Sequence, residues 1–144
     1  MKRYFLIFTG LLFSILLLIA CEDKLTGVVV NYFEDGKPFK ILYYSIKGND
    51  STLVKSVEYH PNHNIFIEGH YKNEKPDGEW KSWYENGNLW SVGTFKEGVQ
   101  VGKTKTYHEN GNLRYCGYYD KNGKYTGTWK FYDENKNLIK TMEY

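Results

Sequence analysis

Residues 83–89 read Trp-Tyr-Glu-Asn-Gly-Asn-Leu, and residues 107–113 read Tyr-His-Glu-Asn-Gly-Asn-Leu. A third copy, Tyr-Asp-Glu-Asn-Lys-Asn-Leu, occupies residues 132–138. Self-similarity at a period of about 20 to 50 residues is the signature of a repeat architecture, in which each unit packs on its neighbours. The recurring heptad therefore predicts a fold built from stacked repeats.

Each heptad contains a turn signal at its centre. Asn-Gly stands at 86–87 and at 110–111, and Asn-Lys at 135–136 is a weaker version. Asn-Gly between apolar runs favours a two-residue type I′ hairpin turn, which needs positive φ at both central residues. The heptads therefore predict three β-hairpins, each with its turn in the heptad.

A two-residue turn at 86–87 predicts which residues share each face of the first hairpin, because side chains alternate along a strand. It places Trp80 opposite Gly93, where a large ring would cover a bare strand position. We interpret this first face, with the leucine that ends each heptad, as the packed core. Its predicted members are Trp80, Ser82, Tyr84, Leu89, Gly93 and Phe95, with Leu113 and Leu138 in later copies.

The same register predicts an aromatic strip on the second face. It pairs Trp83 with Trp90, Tyr107 with Arg114, and Tyr132 with Ile139. Exposed on a single-layer sheet, such a strip would mark a binding surface for sugar rings or an apolar patch of a protein. Aromatic cross-strand pairs also stabilise a thin sheet without any ligand, so both interpretations stay open. The candidate binding residues are Trp83, Trp90, Tyr107, Arg114 and Tyr132.

Further turn signals divide the rest of the chain into short strands. They lie at 35–36, 48–50, 75–78, 97–98 and 122–123. No segment between them shows helical periodicity. The predicted fold is all-β: a single antiparallel meander of about ten short strands, built from stacked β-hairpin repeats and preceded by a signal-peptide helix.

The N-terminus has the features of an export signal. Lys2 and Arg3 precede an uncharged stretch at 4–20 that ends in Leu-Ile-Ala before Cys21. This ending resembles the lipobox of bacterial lipoproteins, which implies that Cys21 is acylated and becomes the mature N-terminus. An uncleaved membrane helix is the alternative. The domains are then a signal peptide at 1–20, degenerate β-hairpins at 21–56, and repeats of about 24 residues at 57–144.

Removal of the signal changes the charge balance. Nineteen basic residues lose Lys2 and Arg3, and the remaining seventeen face seventeen acidic residues. A near-neutral chain without a basic stripe is not expected to bind nucleic acid. With Cys21 acylated, Cys116 has no partner for an intramolecular disulfide.

The run from Gly78 to Phe95, with its later copies, resembles the MORN-repeat variant of bacterial proteins, some of which are labelled YwqK-type antitoxins. The resemblance covers roughly residues 57–144, and the third copy departs from it at Lys136. It implies stacked β-hairpins in an elongated, twisted sheet. It implies no catalytic residues, because the repeat motif is structural.

Two other constellations have simpler explanations than a reactive site. A metal could use the histidines near 60–70, yet no cysteine or carboxylate completes a ligand spacing, so we expect no metal and no cofactor. A row of glutamates could do acid–base work, but a repeat places identical residues in rows anyway, beside exposed turns. The residues concerned are His60, His63 and His70, and Glu85, Glu109 and Glu134.

We therefore expect a non-enzymatic lipoprotein of the bacterial cell envelope, anchored through Cys21 at the outer membrane or cell surface. Its repeat sheet would bind an unidentified protein or glycan. The alternative is an antitoxin or immunity-type protein that neutralises a toxin.

Overall fold

The computed structural model describes residues 24–144, which form one antiparallel sheet of ten strands arranged in chain order. This confirms the predicted all-β meander. The predicted signal peptide at 1–20 and the acylated Cys21 lie outside the described residues. Among residues 24–144 there is no apolar helix of membrane-spanning length. The strands are β1 (Lys24–Tyr32), β2 (Pro38–Lys47), β3 (Asp50–Tyr59), β4 (Ile65–Lys72), β5 (Lys75–Trp83), β6 (Leu89–Lys96), β7 (Val99–Tyr107), β8 (Leu113–Tyr119), β9 (Tyr125–Tyr132) and β10 (Leu138–Glu143).

The turns that leave the odd-numbered strands all lie at one end of the sheet, which we call the heptad edge. In the turn after β5, the Tyr84 amide donates to Asn88 O at 2.9 Å, and the Gly87 amide donates to Tyr84 O at 2.9 Å. Gly87 has φ 85°, whereas Asn86 is not among the positive-φ residues. The loop is therefore a three-residue turn with one left-handed residue, and the predicted two-residue type I′ turn is wrong. Turns 33–37, 60–64, 108–112 and 133–137 have the same hydrogen bonds.

The register beyond this turn also differs from the prediction near the loop. Trp83 pairs with Leu89 and Ser82 with Ser91, so Trp90 is the extra residue of a β-bulge. The predicted pairs of Trp83 with Trp90 and of Tyr84 with Leu89 are therefore wrong.

The later hairpins repeat this correction. Tyr107 pairs with Leu113 rather than with Arg114, and Tyr132 pairs with Leu138 rather than with Ile139. Each leucine therefore shares a face with the aromatic residue that ends the preceding strand, not with the packed face.

Below the bulge the predicted register is confirmed, because Trp80 pairs with Gly93. The ring of Trp80 nevertheless lies on its other neighbour, Gly69, where an added Cβ would stand 2.2 Å from the indole. Trp129 covers Gly117 in the same way, at 2.1 Å. These rings form the packed face, which also contains Ser82. Since the sheet has a single layer, Trp129 at 3% exposure and Val57 at 2% are the only buried apolar side chains among the described residues.

Candidate functional site

Asparagines link the turns of the heptad edge to one another. In the turn after β5, the Nδ2 atoms of Asn86 and Asn88 both donate to the carbonyl oxygen of Glu109 in the next turn, at 3.3 and 2.8 Å. The Asn86 Oδ1 atom accepts the amide of Asn88 at 2.9 Å, which fixes the Asn86 side chain. The three residues Asn-Gly-Asn therefore act as one unit that closes a turn and binds the next turn.

The same unit operates in two other turns. Asn110 and Asn112 both donate to Glu134 O, at 3.0 and 2.7 Å. Asn62 and Asn64 both donate to Glu85 O, each at 2.7 Å. Residues 59–65, Tyr-His-Pro-Asn-His-Asn-Ile, are thus a further copy of the heptad. The repeat pattern predicts Ile65 as an earlier member of the leucine column, but it does not predict the asparagine contacts of this copy. The glutamate row contributes its backbone carbonyls to this ladder.

A second row of contacts runs beside the asparagine ladder. The Tyr84 hydroxyl donates to Tyr107 O at 2.7 Å, and burial raises the pKa of Tyr84. His60 Nε2 lies 2.8 Å from Trp83 O, and His108 Nε2 lies 2.9 Å from Tyr132 O. Each ring nitrogen must carry a proton to bond a carbonyl. His60 therefore joins two repeats and is not a solvated turn residue.

The first turn is joined to the second by a histidine–aspartate contact, where the later turns use asparagines. His63 Nε2 lies 2.9 Å from the Asp35 carboxylate. The amide of Lys37, followed by the charge of His63, holds the pKa of Asp35 below its usual value. His70 contacts Glu79 O at 3.0 Å. The three histidines thus have separate partners, and residues 24–144 contain no cluster of three or more His, Cys, Asp or Glu side chains that could hold a metal.

The face opposite Trp80 carries a continuous row of apolar side chains, which we call the apolar stripe. Its members belong to five cross-strand pairs at the heptad edge, and paired residues of a sheet point to the same face. Each pair joins the last residue of an odd-numbered strand to the first residue of the next strand. The pairs are Tyr32 with Pro38, Tyr59 with Ile65, Trp83 with Leu89, Tyr107 with Leu113, and Tyr132 with Leu138.

The stripe contains three of the five predicted binding residues: Trp83, Tyr107 and Tyr132. The other two, Trp90 and Arg114, are bulge residues outside these pairs. The ring of Trp90 lies 5.9 Å from that of Tyr84 and 6.5 Å from that of Phe66. Arg114 lines an open depression of about 520 Å³ together with Phe131 and Ile139. Tyr132 of the stripe lines this depression as well, so Arg114 stands close to the stripe although it is not one of its paired residues.

A row of lysines runs parallel to the stripe. Lys81, Lys105 and Lys130 each stand two residues before a stripe aromatic, so they share its face. Lys81 pairs with Glu68 across the strands and forms an ion pair with Glu79, whereas Lys105 pairs with the uncharged residues Val92 and Cys116. This face thus presents an apolar band with mixed charge beside Trp83 and positive charge at Lys105 and Lys130 beside the later copies.

Comparison with protein families gives one match, to a family described as the MORN repeat variant. The match covers residues 25–45, 76–97, 100–121 and 125–144, which is more than half of the chain. The range 25–45 lies inside the region that the sequence analysis assigned to degenerate hairpins. Comparison with curated proteins gives no match.

Proposed function

The chain belongs to the MORN repeat variant family, and we propose that it is a non-enzymatic interaction module tethered to a bacterial envelope membrane through a lipid on Cys21. The apolar stripe is the surface that binds its partner. This proposal depends chiefly on one observation: the stripe crosses all ten strands of a sheet that no second layer within residues 24–144 covers.

The exposure of the stripe supports its role in binding. Tyr32 is 62% exposed, Ile65 38% and Leu138 55%, while the stripe residues between them are half-buried by their neighbours. A contiguous apolar band on a soluble domain is typical of an interaction surface. The lysine row beside it favours a partner whose apolar patch is bordered by acidic groups. A protein surface fits this combination, and a glycan with acidic sugars is the other ligand class that we propose.

The use of the heptad residues supports a non-enzymatic role. The asparagines and two histidines hold neighbouring repeats together. The carbonyls of Glu85 and Glu109 accept from asparagines, and the carbonyls of Trp83 and Tyr132 accept from His60 and His108. The polar groups that recur with the repeat therefore have a structural role, since they hold the repeats together.

The proposed lipid anchor is tested by removing the Cys21 thiol, the group that would accept the fatty acid. Cys21→Ala should leave the precursor unprocessed and abolish labelling by a radioactive or alkyne fatty acid, because the thiol is the proposed site of acylation. Fractionation of the envelope should then find the wild-type protein in the membrane fraction, which we expect to be the outer membrane. Normal processing and labelling of Cys21→Ala would overturn the lipoprotein proposal.

The stripe is tested by removing its two central aromatics. The double variant Trp83→Ser/Tyr107→Ser should lose most of the partner recovered from envelope extracts, since aromatic anchors supply most of the binding energy of an interface. Tyr118→Ser is the matched control, because Tyr118 is 46% exposed and lies outside the stripe. Circular dichroism should show both variants folded.

Three outcomes of this experiment are informative. Equal recovery by wild type and a folded double variant would overturn the stripe as the binding surface. Loss of recovery with Tyr118→Ser as well would show that binding is unspecific. A toxin as the specifically recovered partner would make the immunity function the correct one.

A further inference from the structure

Two repeats of the packed face place an indole on a glycine in the same way. Trp80 lies on Gly69 and Trp129 lies on Gly117. The Trp80 Nε1 atom donates to His70 O at 3.2 Å, and the Trp129 Nε1 atom donates to Tyr118 O at 3.2 Å. The acceptor is in each case the carbonyl of the residue that follows the glycine. A bare backbone and this carbonyl together form a site for a planar ring that bears an N–H group.

The repeat between them has the glycine but lacks the ring. Gly93 occupies the glycine position, and Thr104 stands where the other repeats have tryptophan, two residues after the positive-φ glycine of the strand. The side-chain amide of Gln100 covers Gly93 instead, with Nε2 2.7 Å from the position of an added Cβ. Its side-chain amide donates a long hydrogen bond, 3.4 Å from Nε2 to Thr104 Oγ1. Gln100 is a long, flexible side chain, so it can move aside.

The missing ring leaves a cavity of about 180 Å³, which we call the open slot. Trp80 and Phe95 form its aromatic wall, with ring centroids 5.5 Å apart. The hydroxyls of Ser82 and Ser91 bond to each other at 2.6 Å at its base. The carbonyl equivalent to the two indole acceptors is that of Thr94. Apart from Lys81, which points to the opposite face, the slot is lined by uncharged residues.

We propose that the open slot binds the indole of a tryptophan presented by a partner polypeptide. The incoming ring lies on Gly93, contacts the edges of Trp80 and Phe95, and donates its N–H to Thr94 O, while Gln100 turns outward. The occupant is inferred from the chain itself, because the two neighbouring repeats fill the same geometry with tryptophan. Aromatic contact and a satisfied N–H are the two features that favour buried indole. This inference deepens the proposed function, since it supposes a protein partner.

N-acetyl-tryptophanamide is the probe for this site. Its binding is measured by nuclear magnetic resonance of the ¹⁵N-labelled protein that comprises residues 22–144. Titration should shift the amide signals of Gly93, Thr94 and Gln100 more than those of Gly69 and Gly117. N-acetyl-alaninamide and methyl glucoside, added separately, should shift none of them. Absence of a shift at Gly93 with the indole probe, or an equal shift with the sugar, would overturn the proposal.

Two variants change the slot in opposite directions. Thr104→Trp supplies the ring that the other repeats carry, so it should weaken probe binding by at least about tenfold, a loss readily measured. Thr128→Trp adds a tryptophan at an exposed position and should leave binding unchanged. Gln100→Ala removes the side chain that covers Gly93 and should tighten binding several-fold.

If one of the two variants does not fold, the other still tests the slot. Unchanged or weaker binding by Gln100→Ala would overturn it, as would undiminished binding by a folded Thr104→Trp. The stripe lies on the opposite face and is tested with a partner protein, so loss of recovery by Trp83→Ser/Tyr107→Ser without a probe effect would separate failure of the slot from failure of the proposed function.

Discussion

Trp129→Ala should lower the free energy of unfolding by about 3 to 5 kcal/mol, the range for removing a large buried aromatic side chain. Trp129 is 3% exposed, and its ring contacts those of Tyr119, Tyr125 and Tyr144 at centroid distances of 5.3, 4.6 and 6.3 Å. Its Nε1 atom also donates to Tyr118 O. Because the described part of the chain, residues 24–144, forms one layer, it contains no second sheet that could collapse into the space that the indole leaves.

Urea unfolding of the chain at 22–144, followed by circular dichroism, measures this loss. Trp90→Ala is the control, because Trp90 is 38% exposed and should cost less than half as much. An equal loss for both variants would show that Trp129 is not the centre of the packed face.

Tyrosine titration gives a second reading of the same cluster. Burial raises the pKa of Tyr119 from 10.0 to about 12, with Tyr125 adding to the shift. A folded-state pKa above the unfolded value stabilises the fold below the ordinary tyrosine range, and this contribution is lost as pH rises through about 12. In Trp129→Ala, spectrophotometric titration should move the pKa of Tyr119 back toward its ordinary value, since the ring that covers it is gone.

The strand order and the positions of the hairpins follow from the sequence because they depend on local signals. Apolar runs, turn residues and a fixed period are enough to predict an antiparallel meander. Register near the loops does not follow in this way, because one inserted residue moves every later side chain to the other face. Here the loop has one residue more than predicted, and the bulge at Trp90 adds another to the second strand. The two shifts cancel from Ser91 onward, but Leu89 lies between them and changes face. This is why the leucines were predicted on the packed face.

The role of the asparagines was hidden for a different reason. Asn86 was interpreted from its backbone tendency, whereas its side chain carries the structural function by donating to Glu109 O. In the copy at 59–65 only Ile65 was predicted as a member of the repeat, because His63 replaces glycine, although His63 keeps the left-handed backbone with φ 67°. Had recurrence of Asn-x-Asn been compared in place of Asn-Gly, the copy and the ladder would both have been found. When two polar positions recur together in a repeat sequence, a side chain of one copy can be expected to contact the next copy, about one repeat of 24 residues away.

Gly117 and Gly93 occupy equivalent positions on the packed face, so they serve as two matched sites. Gly117→Ala should lower the free energy of unfolding by about 3 kcal/mol, near the upper end for overpacking, because its Cβ would stand 2.1 Å from the Trp129 indole. Gly93→Ala should cost far less, since the nearest atom is the movable Gln100 amide at 2.7 Å. Urea unfolding of both variants measures the difference, and equal costs would contradict the packing of Trp129 on Gly117.

Urea unfolding of Gly93→Ala in the Thr104→Trp background tests why alanine should cost less at Gly93 than at Gly117. If the absent ring is the only cause, a tryptophan at 104 will lie on Gly93, and Gly93→Ala will then become as costly as Gly117→Ala. The coupling of the two changes would therefore exceed about 1 kcal/mol, as it does for residues in direct contact. An additive result would mean that the new indole does not enter the open slot, and that the middle repeat is built differently from its neighbours beyond the loss of one ring.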